Sequence, residues 1–225
     1  MSETQHESTG IPHVQVFPLG GFQTNCMIIT DGEPTAGKDC LIVDCGYEPQ
    51  PLLDAIEDQQ LTPKQVVLTH AHADHIAGLL ELHTRVGPVP IWMHRAEESW
   101  LNDPMLNLSA ALGLNVTAPT PVGFLGQDDE VRVGSVVFEI RETPGHSPGG
   151  ISLIHAESNT AIVGDSLFNG SIGRTDFPGS SFEVLADSIR TMLYSLDPDT
   201  SVYPGHGPTT TIGREMHMNP FVPAK

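Results

Sequence analysis

Basic residues are scarce in this chain: ten Lys and Arg stand against 28 Asp and Glu in 225 residues, a formal charge of −18. A surface so acidic repels phosphate backbones and anionic lipid, which argues against nucleic-acid and membrane-surface partners. Long apolar runs are missing too, since no stretch approaches the roughly 18–20 apolar residues that span a bilayer. Residues 1–12 are polar and lack the apolar stretch of a secretory signal, so a flexible tail is expected ahead of a single domain over 13–225. Cysteine is nearly absent. Cys26, Cys40 and Cys45 form no CxxC pair and leave an odd count, which argues against a disulfide framework and for reduced thiols in a cytoplasm. Cys45 stands open as a packing residue or as a ligand or nucleophile, with no basic neighbour in sequence to lower its pKa. There is also no GxSxG nucleophile elbow.

What the chain does have in quantity is turns. Gly (22) and Pro (19) are spread along its length, and 39% hydrophobic with 17% charged residues is a globular composition. Short apolar runs ending in polar punctuation predict strands over residues 14–17, 26–30, 41–44, 66–69 and 90–93, then over 136–141, 151–155, 161–163 and 201–203. Apolar spacing at three and four residues predicts helices over 52–60, 76–86 and 182–196. The alternation of strands and helices argues for α/β layers. Residues 95–125 differ. They carry Trp100, Met105, Leu106, Leu108, Leu112 and Leu114 among prolines and read as a helix or two followed by extended chain. Such a segment is either an insertion packed on the core or the wall of a substrate pocket.

The densest chemistry lies in Thr69-His70-Ala71-His72-Ala73-Asp74-His75, directly after the apolar run Val66-Val67-Leu68. A strand that ends this way delivers its polar residues to a sheet edge, and two alanines leave the backbone room to turn between them. Asp74 and His75 precede the helical pattern from Ile76, where the helix dipole favours a carboxylate. Imidazole and carboxylate suit a borderline divalent ion such as zinc. Three His and one Asp in six residues exceed what one tetrahedral ion takes from so short a loop, so two neighbouring ions and further ligands are expected. Candidates recur in one form, a strand followed by a polar residue flanked by Gly or Pro. They are His146 in Pro144-Gly145-His146-Ser147-Pro148-Gly149, Asp165 in Gly164-Asp165-Ser166, and His206 in Pro204-Gly205-His206-Gly207-Pro208. Asp44 reads either as a turn residue or as a partner that orients a ligand histidine. His6, His13, His83, His94, His155 and His217 lack this context and read as surface or packing residues.

Taken in order, residues 69–75, 143–149, 164–166 and 203–208 resemble the successive motifs of the metallo-β-lactamase fold superfamily, a resemblance that runs from about residue 14 to 208. The stretch 164–176 is similar to the glyoxalase II-like branch, the hydroxyacylglutathione hydrolases and their shorter bacterial relatives. The resemblance implies a four-layer αββα sandwich with the site along one edge of its two sheets. It implies two zinc ions, with iron or manganese as alternatives: His70, His72 and His146 around the first, Asp74, His75 and His206 around the second, Asp165 bridging. It further implies hydrolysis of a small thioester or ester, S-lactoylglutathione-like among the candidates. The nucleophile is then a hydroxide bridging ions ~3.5–4 Å apart, its pKa lowered toward ~7, with Asp74 as the catalytic residue that orients it.

Two features depart from glyoxalase II. Nineteen residues follow His206, where that enzyme carries a helical region that helps hold glutathione. Arg174 and Asp176 stand where the eukaryotic-type enzymes place a Lys and a Tyr. Arg174 reads either as a grip on a substrate carboxylate or as half of a structural salt bridge. Persulfide dioxygenases share the fold and much of the motif set with a single iron, and lactonases are a further alternative. The complete second ligand set and the 164–176 stretch favour hydrolysis. A non-catalytic binding protein would be expected to lose ligands, and none is missing. Nothing in the sequence specifies an oligomeric state.

Overall fold

The computed structural model describes residues 10–224. The expected tail therefore lies outside the described residues as far as position 9, His6 with it. At Gly10 the chain is already held, its N–H donating to the Ser135 carbonyl at 3.1 Å.

One sheet is built, in spatial order, from β1 (Pro12–Leu19), β2 (Thr24–Asp31), β3 (Asp39–Val43), β4 (Thr62–Val67), β5 (Ile91–Met93) and β6 (Gly123–Phe124). Its first three strands are antiparallel, and β3 to β6 run parallel. The other sheet holds β7 (Glu130–Val133), β8 (Val136–Glu142), β9 (Ile151–His155) and β10 (Thr160–Gly164). The chain then makes a small hairpin, β11 (Leu167–Phe168) with β12 (Ser171–Ile172), and returns as β13 (Ser201–Pro204) and β14 (Thr210–Thr211). The second sheet runs β14-β13-β10-β9-β8-β7, with β10 and β13 parallel.

Alternation along the strands sorts their side chains into three layers. On β2 and β3, Cys26, Ile28, Cys40 and Ile42 face outward beneath the helices, whereas Met27, Ile29, Leu41 and Val43 face the second sheet. On β10, Ile162 enters that central layer, while Ala161 and Val163 face the opposite helices. The central strands β2, β3, β9 and β10 are therefore buried on both faces, which is why they read as nearly unbroken apolar runs. The outer layers are α1 (Gln50–Asp58), α2 (Ala73–Ile76) and α3 (Leu79–Val86) on one side, α4 (Phe182–Ser188) and α5 (Ile212–Met218) on the other. The fold is an αββα sandwich, as the motif order implied.

Several elements depart from the expected bounds. The helix expected over 76–86 begins earlier, inside the motif, and is broken into α2 and α3 at Ala77-Gly78. The break lies against the turn after β3: the Gly78 N–H donates to the Cys45 carbonyl (2.8 Å), and a Cβ there would stand 2.4 Å from the Gly46 oxygen. The helix expected over 182–196 winds into a π-helical turn over Ile189–Leu193 and stops. Strands β6, β7, β11, β12 and β14 and helix α5 lie outside the expected elements: β6, β11, β12 and β14 have two residues each, β7 alternates Val131 and Val133 with charged residues instead of forming an apolar run, and α5 buries only Ile212 and Glu215. Residues 95–125 form two 3₁₀ helices, Arg95–Asn102 and Ser109–Leu112, and then extended chain to β6. Trp100 and Leu101 pack into the outer core, while Leu108 and Leu112 face a cleft, so the segment is packed on the core and also walls a cavity. No helix among the described residues is long and apolar enough to cross a membrane.

Candidate metal centre

Strands β4, β8, β10 and β13 all end on one edge of the sandwich. The residues just past those ends are the seven predicted from the motifs. The loop after β4 carries His70 and His72, and α2 carries Asp74 and His75; the turns after β8, β10 and β13 carry His146, Asp165 and His206. The two sheets meet here directly, since the Thr69 carbonyl accepts the Ile151 N–H at 2.9 Å.

The side chains converge. His72 Nδ1 lies 2.9 Å from His146 Nε2. His206 Nε2 lies 3.1 Å from Asp74 Oδ2, and His75 Nε2 3.6 Å from the same oxygen. Asp165 stands between these groups, its Oδ1 3.5 Å from His75 and its Oδ2 3.6 Å from His146 and 3.5 Å from His206. Three triads have ligand atoms within 4.8 Å of one another: His70, His72, His146; His70, His75, Asp165; and Asp74, His75, His206. Ligands on one tetrahedral ion with bonds of about 2.0–2.2 Å stand roughly 3.3–3.6 Å apart, so binding would draw these atoms together.

Four of the five rings are aimed by what Nδ1 touches. His75 Nδ1 is 2.8 Å from Asp44 Oδ2, His146 Nδ1 2.8 Å from the Arg174 carbonyl, and His206 Nδ1 3.1 Å from the Phe22 carbonyl. Thr69 Oγ1 donates to Asp44 (2.7 Å) and so faces His70 Nδ1, at 3.2 Å, as an acceptor. With Nδ1 engaged in these four rings, Nε2 is the nitrogen left facing inward, where it would present a lone pair to a bound ion. Asp44 thus satisfies both readings: it is a buried turn residue at φ +59° and the partner that orients His75. Cys45 belongs to none of the triads, and burial with the charge of Asp44 pushes its thiol up to about 12, so it is a packing residue.

The donors fit metal ions. His70 Nε2, His75 Nε2 and Asp165 Oδ1 are buried and make no hydrogen bond, an arrangement that costs free energy unless something else binds them. Burial and the neighbouring imidazoles hold His70 well below its ordinary pKa and bring His72 to about 3. Both are neutral and able to donate a lone pair. Burial opposes charge at Asp74 and Asp165, but His75 and His206 beside them outweigh it and keep both carboxyls ionised below their usual range. Burial likewise opposes charge on His75 and His206, and the facing carboxylates overcome it, so both rings keep their protons to higher pH than an ordinary imidazole does. A divalent cation would take the place of those protons.

Sequence reasoning missed the residues that brace the ligands. Glu97 has no exposed surface. Its Oε2 accepts the Ala71 N–H (2.6 Å) and its Oε1 the Gly149 N–H (2.7 Å), so one carboxylate joins the His70/His72 loop to the His146 loop. Thr24 Oγ1 donates to Asp74 Oδ2 at 3.0 Å. Asn25 Nδ2 donates to the Pro204 and Gly207 carbonyls at 3.0 and 2.8 Å, fixing the turn that carries His206. A Cβ at Gly205 would stand 2.1 Å from Asp165 Oδ1, so only glycine lets that turn approach the bridging position.

Above the ligands lies a cavity of about 370 Å³, walled by Phe22, Leu108, Leu112, Phe168 and Phe177, with Asp74 and Asp165 in its floor. Arg174 lines it too, its guanidinium paired with Asp176 and lying 4.2 Å over the Phe177 ring.

Comparison with known proteins agrees with this geometry. The family profile described as metallo-beta-lactamase superfamily matches residues 19–206. Hydroxyacylglutathione hydrolase GloC of Haemophilus influenzae is 38% identical over 215 residues, covering 95% of this chain and 99% of that one. The crystal structure of BLEG-1 B3 metallo-beta-lactamase is similar with a TM-score of 0.86 and 37% identity, covering 93% of this chain and 99% of that one. A protein solved in a di-iron-bound form, TTHA1623, is similar with a TM-score of 0.78 and 34% identity, covering 94% and 99%.

Proposed function

The chain belongs to the metallo-beta-lactamase superfamily, and from that premise we propose that it is a dinuclear-metal hydrolase cleaving a thioester or ester of a small molecule. The observation that carries this reading is the presence of two separate ligand triads, His70, His72, His146 and Asp74, His75, His206, with Asp165 between them. A single-iron oxygenase has no need of the second triad. Zinc suits the imidazole-rich set, and the di-iron form of TTHA1623 keeps iron as the alternative. The thioester is supported by the name of the GloC relative. Free, buried thiols at Cys26, Cys40 and Cys45 suit a cytoplasmic protein.

Two bound ions would supply Lewis acidity, acidifying a water toward pKa ~7 and polarising the scissile carbonyl. The chain does the rest. Asp74, held ionised and fixed by Thr24, accepts a hydrogen bond from the attacking water and orients it in the cavity floor. Asp44, Thr69 and the carbonyls of Arg174 and Phe22 fix the ligand rings, so little reorganisation accompanies the reaction. The apolar walls exclude bulk water and hold the acyl and thiol parts.

The test combines metal analysis of the purified protein with turnover of thioesters, esters and lactones and with oxygen uptake on a persulfide. About two metal equivalents with hydrolysis are expected. His72→Ala should bind about one equivalent fewer, and Asp74→Asn should lower kcat by ~10²–10⁴. One iron with oxygen uptake and no hydrolysis would sink the reading.

A further inference from the structure

The walls of the cleft say what kind of molecule it takes. Phe22 and Leu112 stand at the mouth 50% and 49% exposed, with Leu108, Phe168 and Phe177 farther in. Apolar side chains left this open around a metal-binding floor are a contact surface awaiting an apolar partner. The polar groups in the walls, by contrast, are already engaged. Asn107 donates to the Trp100 and Val116 carbonyls (2.9 and 3.0 Å), and its side-chain oxygen accepts the Ser109 N–H (3.0 Å). Arg174 is the one Lys or Arg lining the cavity among the described residues. It makes a two-point contact with Asp176, Nε to Oδ1 at 2.9 Å and Nη2 to Oδ2 at 2.8 Å, while its flat face rests on Phe177. The fork that would hold a substrate carboxylate is filled by the protein's own carboxylate, and the pair carries no net charge.

From this arrangement we infer that the cleft selects thioesters whose thiol part is uncharged and largely apolar, and that Asp176 is the residue that turns carboxylate-bearing thiols away by occupying Arg174. A glutathione thioester brings two carboxylates; in this cleft neither meets a free cation on the walls, and one placed near Arg174 must displace Asp176. The inference rests on the hydrolase reading and narrows its substrate.

The experiment uses the metal-loaded protein and two thioesters sharing one acyl group: S-lactoylglutathione and the neutral S-lactoyl-N-acetylcysteamine. The neutral thioester is expected to show kcat/KM at least about fivefold higher, with the difference residing in KM. Asp176→Asn frees the guanidinium, and its expected effect is to lower the KM for S-lactoylglutathione about three- to fivefold, so that the ratio between the substrates falls; an exposed pair of this kind accounts for no more than that. Preference for the glutathione thioester, or a ratio that Asp176→Asn leaves unmoved, overturns the inference while leaving hydrolysis intact. Turnover of neither thioester while an ester or lactone is cleaved also overturns the inference alone; no turnover of thioesters, esters or lactones overturns the hydrolase reading and the inference with it.

Discussion

Glu97 is a carboxylate with no exposed surface, held between two backbone N–H groups that belong to different ligand loops. Because both oxygens accept, a glutamine cannot replace it: one of the two N–H groups would face an amide N–H. Glu97→Gln keeps the volume and is expected to cost ~1–3 kcal/mol of stability. It should also weaken metal binding about 10–100-fold, as loss of a group that orients ligands does. Zinc competition titration beside melting of the metal-free protein separates the two effects, and unchanged zinc affinity would show that Glu97 only packs. The seven candidate ligands were legible because each follows a strand end: His70, His72, Asp74 and His75 crowd into one short run, and His146, Asp165 and His206 each stand beside Gly or Pro. Glu97 was not. It sits beside Glu98 in Arg95-Ala96-Glu97-Glu98, and nothing in that run tells the buried glutamate from its exposed neighbour.

At the scale of elements, the same contrast separates long from short pieces. Strands β2, β3, β9 and β10 announce themselves because burial on both faces demands consecutive apolar residues. Helix α5 does not, since only Ile212 and Glu215 of its seven residues are buried and it is held by polar contacts. Glu215 accepts from Thr210 Oγ1 (2.6 Å), the Gly170 N–H (2.9 Å) and Asn219 Nδ2 (2.9 Å), and pairs with Arg214. It therefore ties α5 to β14 and to the β11–β12 hairpin, whose Phe168 lines the cleft. Burial pushes the Glu215 carboxyl up, but its donors outweigh this and hold it below its ordinary value. A depressed carboxyl contributes stability that is fully present above the unfolded pKa of ~4.3 and lost as pH falls through the folded one. Glu215→Gln should cost ~1–3 kcal/mol at neutral pH, and the gap in melting temperature should close as pH drops below ~4. A gap that stays constant to pH 3 would contradict this assignment.

For the whole molecule, the decisive fact is how the ligands are shared. His70, His72, Asp74 and His75 follow a strand of the first sheet; His146, Asp165 and His206 follow strands of the second. Each ligand triad draws on both sheets: His70 and His72 with His146, His70 and His75 with Asp165, Asp74 and His75 with His206. A bound ion is thus a further cross-link between halves joined by the apolar layer of Met27, Ile29, Val43, Phe138, Leu153 and Ile162 and by hydrogen bonds made by Ile151, Glu97 and Asn25. Without ions, the buried imidazoles and carboxylates rely on protons and on one another. Metal binding should consequently appear as folding stability. Free zinc at 100 times its Kd adds ~2.7 kcal/mol per site, which for a chain of this size raises the melting temperature by roughly 5–11 °C. Chelation should remove that increment. His206→Ala, which leaves His70, His72 and His146 intact, should retain about one site's share of the shift. If His206→Ala shows the full two-site shift in calorimetry, the second ion is not held by the Asp74, His75 and His206 triad.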